Sequence, residues 1–148
     1  FSNRTTPALG MTNYYEDIYG QIHVRPIEKA YFANSIIYGN KEFEIGIDEH
    51  ADSQIPYVFN HCLIKADPDE FDLSDTEHFI NVINLEDPIF ADIANNNLEL
   101  DTLSPAKDVA SYDIALQYPV DINGNSRLGM LGPDIVAYER IENDSISK

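Results

Sequence analysis

Basic residues are scarce in this sequence, and tryptophan is absent. The 148 residues include 9 Lys and Arg against 26 Asp and Glu, which gives a formal net charge of −17 at pH 7. Nucleic acids and anionic membranes both require a Lys/Arg surface, so we expect neither as a partner. A polyanionic polysaccharide would be repelled as well, unless bound calcium compensated locally. The alternative is a solvated acidic surface that serves solubility.

Cysteine occurs once, so the chain cannot form an internal disulfide. Cys62 lies in the apolar run 57–64, which has no basic residue that would lower the pKa of a thiol. We therefore predict a small buried hydrophobe rather than a reactive group. No apolar run approaches the ~18–20 residues of a membrane span, so we expect no membrane insertion. The first residue is Phe1 rather than methionine, and we expect a part of a larger protein.

Helical periodicity is nearly absent, and short β-rich runs bounded by Gly, Asn, Asp and Pro take its place. This pattern predicts an all-β fold. The predicted strands are 8–15, 30–38, 43–47 and 57–64, with weaker candidates at 78–83, 97–100 and 135–138.

Asparagine recurs at a nearly regular interval before apolar strands. Asn13, Asn34 and Asn60 are 21 and 26 residues apart, and Asn81 follows 21 residues later. Asparagine tolerates the left-handed conformation of a sharp corner, and a recurrence of about 20–30 residues is typical of stacked coils. The spacing therefore favours a solenoid, although asparagines in an Asn-rich chain can also align by chance.

The second half contains five motifs in a fixed order. They are DPIFAD (87–92), NNLEL (96–100), LSPAKD (103–108), DINGNSR (121–127) and GPDIVAYE (132–139). This series resembles the terminal region of bacterial pectate-lyase-like β-helix proteins, including the group that often ends in a cell-surface sorting anchor. The chain departs from that family at Lys107, where Ile is common, at Val109-Ala110, which replaces Ala-Gly, and at Val136, which replaces Gly.

The resemblance implies an all-β, right-handed parallel β-helix (solenoid), here its C-terminal coils plus a cap. It divides the chain into β-helix coils (1–86), a terminal coil and C-terminal cap (87–140) and a tail (141–148), all in one structural unit. Within the cap, Arg127 could form a charge pair with Asp134 or Glu139. The implied location is extracellular or at the cell surface, on the exterior of the bacterial outer membrane.

No catalytic constellation is evident. The histidines at 23, 50, 61 and 78 lack metal-ligand spacing. Acidic runs occur at 48–52, 67–75 and 86–87; the second could bind calcium but lacks the ligand positions and glycine of an EF-hand, which favours a solvated loop. Lyases on the related fold are expected to use Lys or Arg as a base, and Arg25 and Lys29 are available pieces. We assign no catalytic or cofactor-binding residue and leave a metal site unassigned, with calcium as a possible ligand.

The leading hypothesis is a non-catalytic segment of an exported or cell-surface bacterial protein. Its role would be structural capping, with carbohydrate or protein contact. One alternative is the C-terminal part of a polysaccharide lyase or glycosidase whose active-site coils lie upstream, and another is a component of an outer-membrane or adhesion complex. We also expect an upstream segment or another protein chain to cover the first coil, around residues 1–15, because its strand edges would otherwise be exposed.

Overall fold

A computed structural model describes residues 4–129 and 131–141. Strands are the main regular structure of these residues, and they are only two to four residues long. The strands are β1 (Leu9–Thr12), β2 (Tyr14–Glu16), β3 (Ile22–Val24), β4 (Ala30–Ala33), β5 (Ile36–Ile37), β6 (Ile45–Asp48), β7 (Tyr57–Asn60), β8 (Leu63–Ile64), β9 (Phe79–Ile80), β10 (Ile83–Asn84), β11 (Phe90–Asp92) and β12 (Asn97–Leu100). A 3-10 turn (Ile93–Asn95) separates the last two strands, and one α-helix, α1 (Tyr112–Gln117), follows them.

The central strands pair in parallel. One sheet has the order β4-β7-β9, a second has the order β5-β8-β10, and β1 pairs with β6. In the first sheet the register places Phe32, Phe59 and Phe79 opposite one another. Three aromatic rings therefore lie on the same face, with stacked centroids 5.0 Å apart for Phe32 and Phe59 and 5.7 Å apart for Phe59 and Phe79.

Wherever a strand of the first sheet leads into a strand of the second, a residue in the left-handed backbone conformation turns the chain. Asn34, His61 and Asn81 have φ of 47°, 51° and 50° and occupy equivalent positions between paired strands. The prediction of Asn60 as the second corner residue is therefore wrong by one position, because Asn60 is the last residue of β7 and His61 forms the corner. The prediction for Asn13 is also wrong. Asn13 is buried, and its side chain bonds the carbonyl of Ser53 and the N–H of His50.

The prediction of a right-handed parallel β-helix is wrong. The strands form five separate sheets of two or three strands, and β2-β3 and β11-β12 are antiparallel. The physical reason is that parallel pairing stops after three short strands, where turn-forming Asp and Pro residues begin. Beyond Leu100 the described chain forms turns, bends and α1, and its residues Ala106, Ala110 and Ile135 pack against the parallel strands instead of continuing them.

Most predicted strands contain real ones, but left-handed residues divide the longer runs. The runs 30–38 and 57–64 each split into two strands around such a residue, and 97–100 is β12 as predicted. The candidate at 135–138 is wrong, since these residues form bends. Three elements were not predicted: β3, β11 and α1. The division at residues 86 and 140 stays a prediction, and residues 142–148 of the tail lie outside the described part.

Two apolar clusters form the core. Cys62 belongs to the first cluster and is fully buried, which confirms the predicted buried side chain, and burial raises the pKa of its thiol to about 11. The second cluster joins the C-terminal residues to the sheet β5-β8-β10. The buried members of the first are Ile45, Phe59, Cys62, Ile64, Ala66, Phe71 and Phe79, and those of the second are Leu63, Leu100, Ala106, Ala110, Ile135 and Val136.

A buried carboxylate holds the N-terminal segment against the parallel strands. Glu44 is completely buried and accepts hydrogen bonds from Arg4 at 2.5 Å, from the N–H of Ala8 at 2.7 Å and from the N–H of Lys41 at 3.0 Å. This network fixes the chain just before β1, which is at the edge of its sheet. Coverage of this edge by another chain stays a prediction, and residues 1–3 lie outside the described part.

Candidate functional site

A cleft separates strand β4 from the segment that contains α1. Its volume is about 650 Å³, and a neighbouring cavity of about 540 Å³ continues it along β5. Asn34 joins the two walls, because its side chain donates to the carbonyl of Ser111 at 3.0 Å and accepts from the N–H of Ser111 at 2.7 Å. Both backbone groups at the N-cap of α1 are thus fixed to the corner of β4. The residues shared by the two cavities are Asn34, Ser35, Arg127 and Val136.

Two tyrosines present their rings at this cleft. Alternation along β4 turns Phe32 toward the core and leaves Tyr31 at the cleft, 41% exposed. Tyr118 ends α1 on the opposite wall and is 67% exposed. The ammonium group of Lys29 lies 4.9 Å from the centre of the Tyr31 ring. The cleft therefore combines exposed aromatic faces with a cation beside one of them.

The charge of the cleft is opposite to that of the protein. Lys29 and Arg127 line it, and neither cavity has an Asp or Glu among the described residues that line it. The whole chain has 26 acidic residues against 9 basic ones. The described lining of the two cavities is therefore basic, and the nearest carboxyl group to Arg127, that of Glu139, lies behind this lining.

A chain of hydrogen bonds fixes the orientation of Tyr31. Asn60 donates its amide N–H to the Tyr31 hydroxyl at 2.7 Å, so its amide oxygen is left to accept from His61 Nδ1 at 2.6 Å. His61 Nε2 must then be the unprotonated nitrogen, which accepts from the amide of Asn81 at 3.0 Å. Burial lowers the pKa of His61, in agreement with this neutral form.

Acidic residues gather behind the cleft around Arg127. Its guanidinium lies 3.4 Å from Glu139 Oε2 and donates to the carbonyl of Ala137 at 3.1 Å. The predicted charge pair therefore forms with Glu139 rather than with Asp134. Asp134 is buried and accepts from the N–H of Asp108 and of Arg140, which fixes the loop.

The two carboxyl groups behind Arg127 have raised pKa values. Burial, followed by the charge of Asp134, raises the pKa of Glu139 to about 7, and the Arg127 guanidinium opposes this only in part. Burial also raises the pKa of Asp134. For Asp121 burial acts in the same direction, but hydrogen bonds from the N–H groups of Glu139, Asn125 and Asn123 lower its pKa overall.

The raised pKa of Glu139 predicts a pH-dependent stability. The unfolded carboxyl loses its proton near pH 4.5 and the folded one near pH 7, so the folded state holds more protons between these values. We expect the free energy of unfolding to fall as the pH rises through this window. Glu139 contributes at most about 3–4 kcal/mol, since a tenfold change in proton affinity is worth about 1.4 kcal/mol. Urea unfolding at pH 5, 6, 7 and 8 measures the slope.

The variant Glu139→Gln should flatten this slope, because a glutamine side chain does not ionise. Glu86→Gln is the matched control, since Glu86 is exposed and should leave the slope unchanged. Equal slopes for the wild type and Glu139→Gln would contradict the assignment.

Most of the residues that the sequence analysis considered as candidates for catalysis or metal binding have structural roles. Of the two cations considered there, Lys29 reaches the cleft, whereas Arg25 lies over Tyr15 on the hairpin β2-β3. His23 and His78 bond Asp17 and Asp75 at 2.8 Å and 2.7 Å.

The acidic runs mainly close turns. Asp67, Asp72 and Asp75 each accept a hydrogen bond from the N–H two residues ahead. Within residues 4–129 and 131–141, no three His, Cys, Asp or Glu side chains are grouped so as to hold a metal ion. Calcium binding therefore has no assigned residue.

The cleft itself was missed by sequence reasoning, because its walls are far apart in the chain. Asn34 and Ser111 are separated by 77 residues. The one available signal was Tyr31, an aromatic residue on the outward-facing side of β4, which ends just before the corner residue Asn34.

Comparison with protein-family models, with curated proteins and with solved structures finds no match for this chain. The part of the chain that the structure describes contains no helix long and apolar enough to cross a membrane.

Proposed function

We propose that this chain is a non-catalytic binding segment that contacts carbohydrate through the cleft of Tyr31 and Tyr118. The observation that carries the proposal is the pair of exposed tyrosine rings flanked by Lys29 and Arg127. A sugar ring has apolar C–H faces that pack on aromatic rings and hydroxyl oxygens that accept from cationic donors. Tyrosine supplies the first kind of contact, and Lys and Arg supply the second.

The absence of acidic residues from the described lining supports a binding role over hydrolysis. Glycoside hydrolysis typically requires two carboxyl groups about 5–9.5 Å apart across the scissile bond. The cleft offers no such pair among the described residues that line it. An active site elsewhere in a longer lyase or glycosidase remains the alternative, and a part in an outer-membrane or adhesion complex is the second.

An exported or cell-surface bacterial protein is the setting that we propose for this segment. The support is the resemblance of the five motifs between residues 87 and 139 to the terminal region of bacterial surface proteins; the β-helix fold that the same resemblance implied is wrong. The high acidic charge fits a surface that stays in solution and repels nucleic acid.

Protein contact is a second candidate function, and a different surface favours it. The hairpin β2-β3 carries Ile18 and Tyr19 at its tip, 91% and 87% exposed. Two large apolar side chains on a protruding turn are a typical small contact surface for another protein. This surface belongs to the hairpin and does not include the cleft tyrosines.

Oligosaccharide titrations followed by backbone amide NMR test the proposal. The probes are a neutral β-1,4-linked glucose hexamer and a galacturonate hexamer. We expect shift changes at 29–35 and 114–118, and at least about tenfold weaker binding in Tyr31→Ala and Tyr118→Ala, because a lost aromatic contact of about 1.4 kcal/mol corresponds to tenfold.

Tyr31→Phe and Tyr19→Ala are the controls. Tyr31→Phe keeps the ring and should keep most of the affinity, and Tyr19→Ala removes an exposed tyrosine outside the cleft. Saccharide binding that Tyr19→Ala abolishes and the cleft variants leave intact would transfer the function to the hairpin. No binding of either probe would reject the proposal.

A further inference from the structure

We propose that Glu139 acts as a pH-dependent latch on Arg127, so that protonation of Glu139 frees the guanidinium to bind saccharide oxygens in the cleft. This inference rests on the carbohydrate-binding function proposed above and adds a regulation to the same site. Ligand affinity should therefore rise as the pH falls below neutral.

The position of Arg127 is the first basis for the latch. It is the only arginine that lines the cavities, and it lines both of them, among the described residues. Its side chain is 13% exposed and that of Glu139 is 10% exposed, so the pair lies at the boundary between the cleft and the interior. Breaking the Arg127–Glu139 pair therefore changes which hydrogen-bond donors are available to the cleft and to the interior.

The geometry of the pair is the second basis. The separation of 3.4 Å between Arg127 Nη1 and Glu139 Oε2 is long for a charged hydrogen bond, and the same Glu139 oxygen accepts from the N–H of Asp134 at the same distance. The carbonyl of Ala137 also holds the guanidinium. When Glu139 loses its negative charge, Arg127 keeps only this neutral acceptor. The guanidinium is then held less strongly in its position beside Glu139.

The surroundings of Glu139 favour uptake of a proton. The carboxylates of Asp134 and Asp121 lie close to it, and burial raises its pKa to about 7. The N–H of Asp134, which donates to Glu139, and the charge of Arg127 oppose this. The charged groups that face Glu139 are Asp121, Arg127, Asp134 and, across the neighbouring hollow, Glu99, Asp101 and Arg140.

The titration of these neighbours does not reproduce the effect. Hydrogen bonds keep the pKa of Asp121 and of Asp101 below the usual value, so both stay ionised through the neutral range. The pKa of Asp134 is also raised, but its carboxyl group accepts from the N–H groups of Asp108 and Arg140 rather than from Arg127. Glu139 is therefore the titrating group that is paired with the arginine of the cleft.

The latch is tested on the full chain by two measurements. The first follows the Glu139 carboxyl carbon and the Arg127 side-chain nitrogens by NMR from pH 5 to 8.5. We expect the Arg127 resonances to move with the midpoint of Glu139 in the wild type and to stay constant in Glu139→Gln. The second measures binding of the glucose hexamer and the galacturonate hexamer at pH 5.5 and pH 8.

We expect about tenfold tighter binding at pH 5.5 in the wild type, as is typical of one charge-assisted hydrogen bond gained. Glu139→Gln should bind with the higher affinity at both pH values, and Arg127→Gln with the lower affinity at both. Glu86→Gln should behave like the wild type.

Arg127 resonances that ignore the titration of Glu139, or an equal affinity at both pH values, would overturn the latch. Failure of both probes at every pH would instead reject carbohydrate binding, and the Arg127 resonances would then decide the latch by themselves.

Discussion

Replacement of Phe59 with alanine is expected to lower the free energy of unfolding by about 3–5 kcal/mol, the usual cost of removing a buried aromatic side chain. Phe59 is completely buried, and its ring stacks between those of Phe32 and Phe79. The substitution removes both stacked contacts and leaves a cavity in the middle of the sheet β4-β7-β9. Urea unfolding monitored by circular dichroism measures the change.

The control for this prediction is Tyr19→Ala. Tyr19 is 87% exposed at the hairpin tip, so the loss of its ring should change stability by less than about 0.5 kcal/mol. A Phe59→Ala protein that is as stable as Tyr19→Ala would mean that the stacked rings do not form the core. Phe59→Leu, which fills part of the cavity, should lie between the two.

Replacement of Glu44 with alanine is expected to cost about 3 kcal/mol, because backbone N–H groups lose a buried acceptor at about 1–3 kcal/mol each. The two backbone donors belong to Ala8 and Lys41, and they donate to different oxygens of the carboxylate. Arg4 contributes less, since it is about one-third exposed and can turn to water. The structural consequence is detachment of the segment before β1.

Proteolysis and thermal unfolding together check this prediction. Glu44→Ala should lower the melting temperature and expose the segment near Pro7 to cleavage. The matched control is Glu42→Ala, two residues away and exposed, which should do neither. Arg4→Ala should give an intermediate effect. If it destabilises the protein as much as Glu44→Ala does, the ion pair rather than the backbone donors dominates.

The sequence was informative where local rules decide the structure. Runs of apolar and β-branched residues marked most strands, and the apolar run around Cys62 marked a buried thiol. The charge pair of Arg127 was predicted from two partners close in sequence, and it forms with Glu139. In each case a pattern within about a dozen residues of sequence was enough to make the prediction.

Long-range packing decided what the sequence could not. The solenoid prediction assumed that the apparent repeat of asparagines would continue, but the paired corner residues are Asn34, His61 and Asn81. Helix α1 has only six residues, too few for a periodic pattern to be recognised. The cleft depends on the hydrogen bonds between Asn34 and Ser111. These residues are too far apart in the sequence for a local pattern to predict their contact.

The strands beside the left-handed corners stay stacked even though the loops that connect them differ in length. His61 follows Asn34 by 27 residues, whereas Asn81 follows His61 by only 20, yet the flanking strands remain in parallel register. The seven-residue difference is absorbed outside the strands, where added length costs little because loop-closure entropy grows slowly with length. The exposed turn at residues 68–70, which precedes the buried Phe71, therefore offers a position for inserting foreign peptides, and insertion there should leave the aromatic stack and the cleft in place.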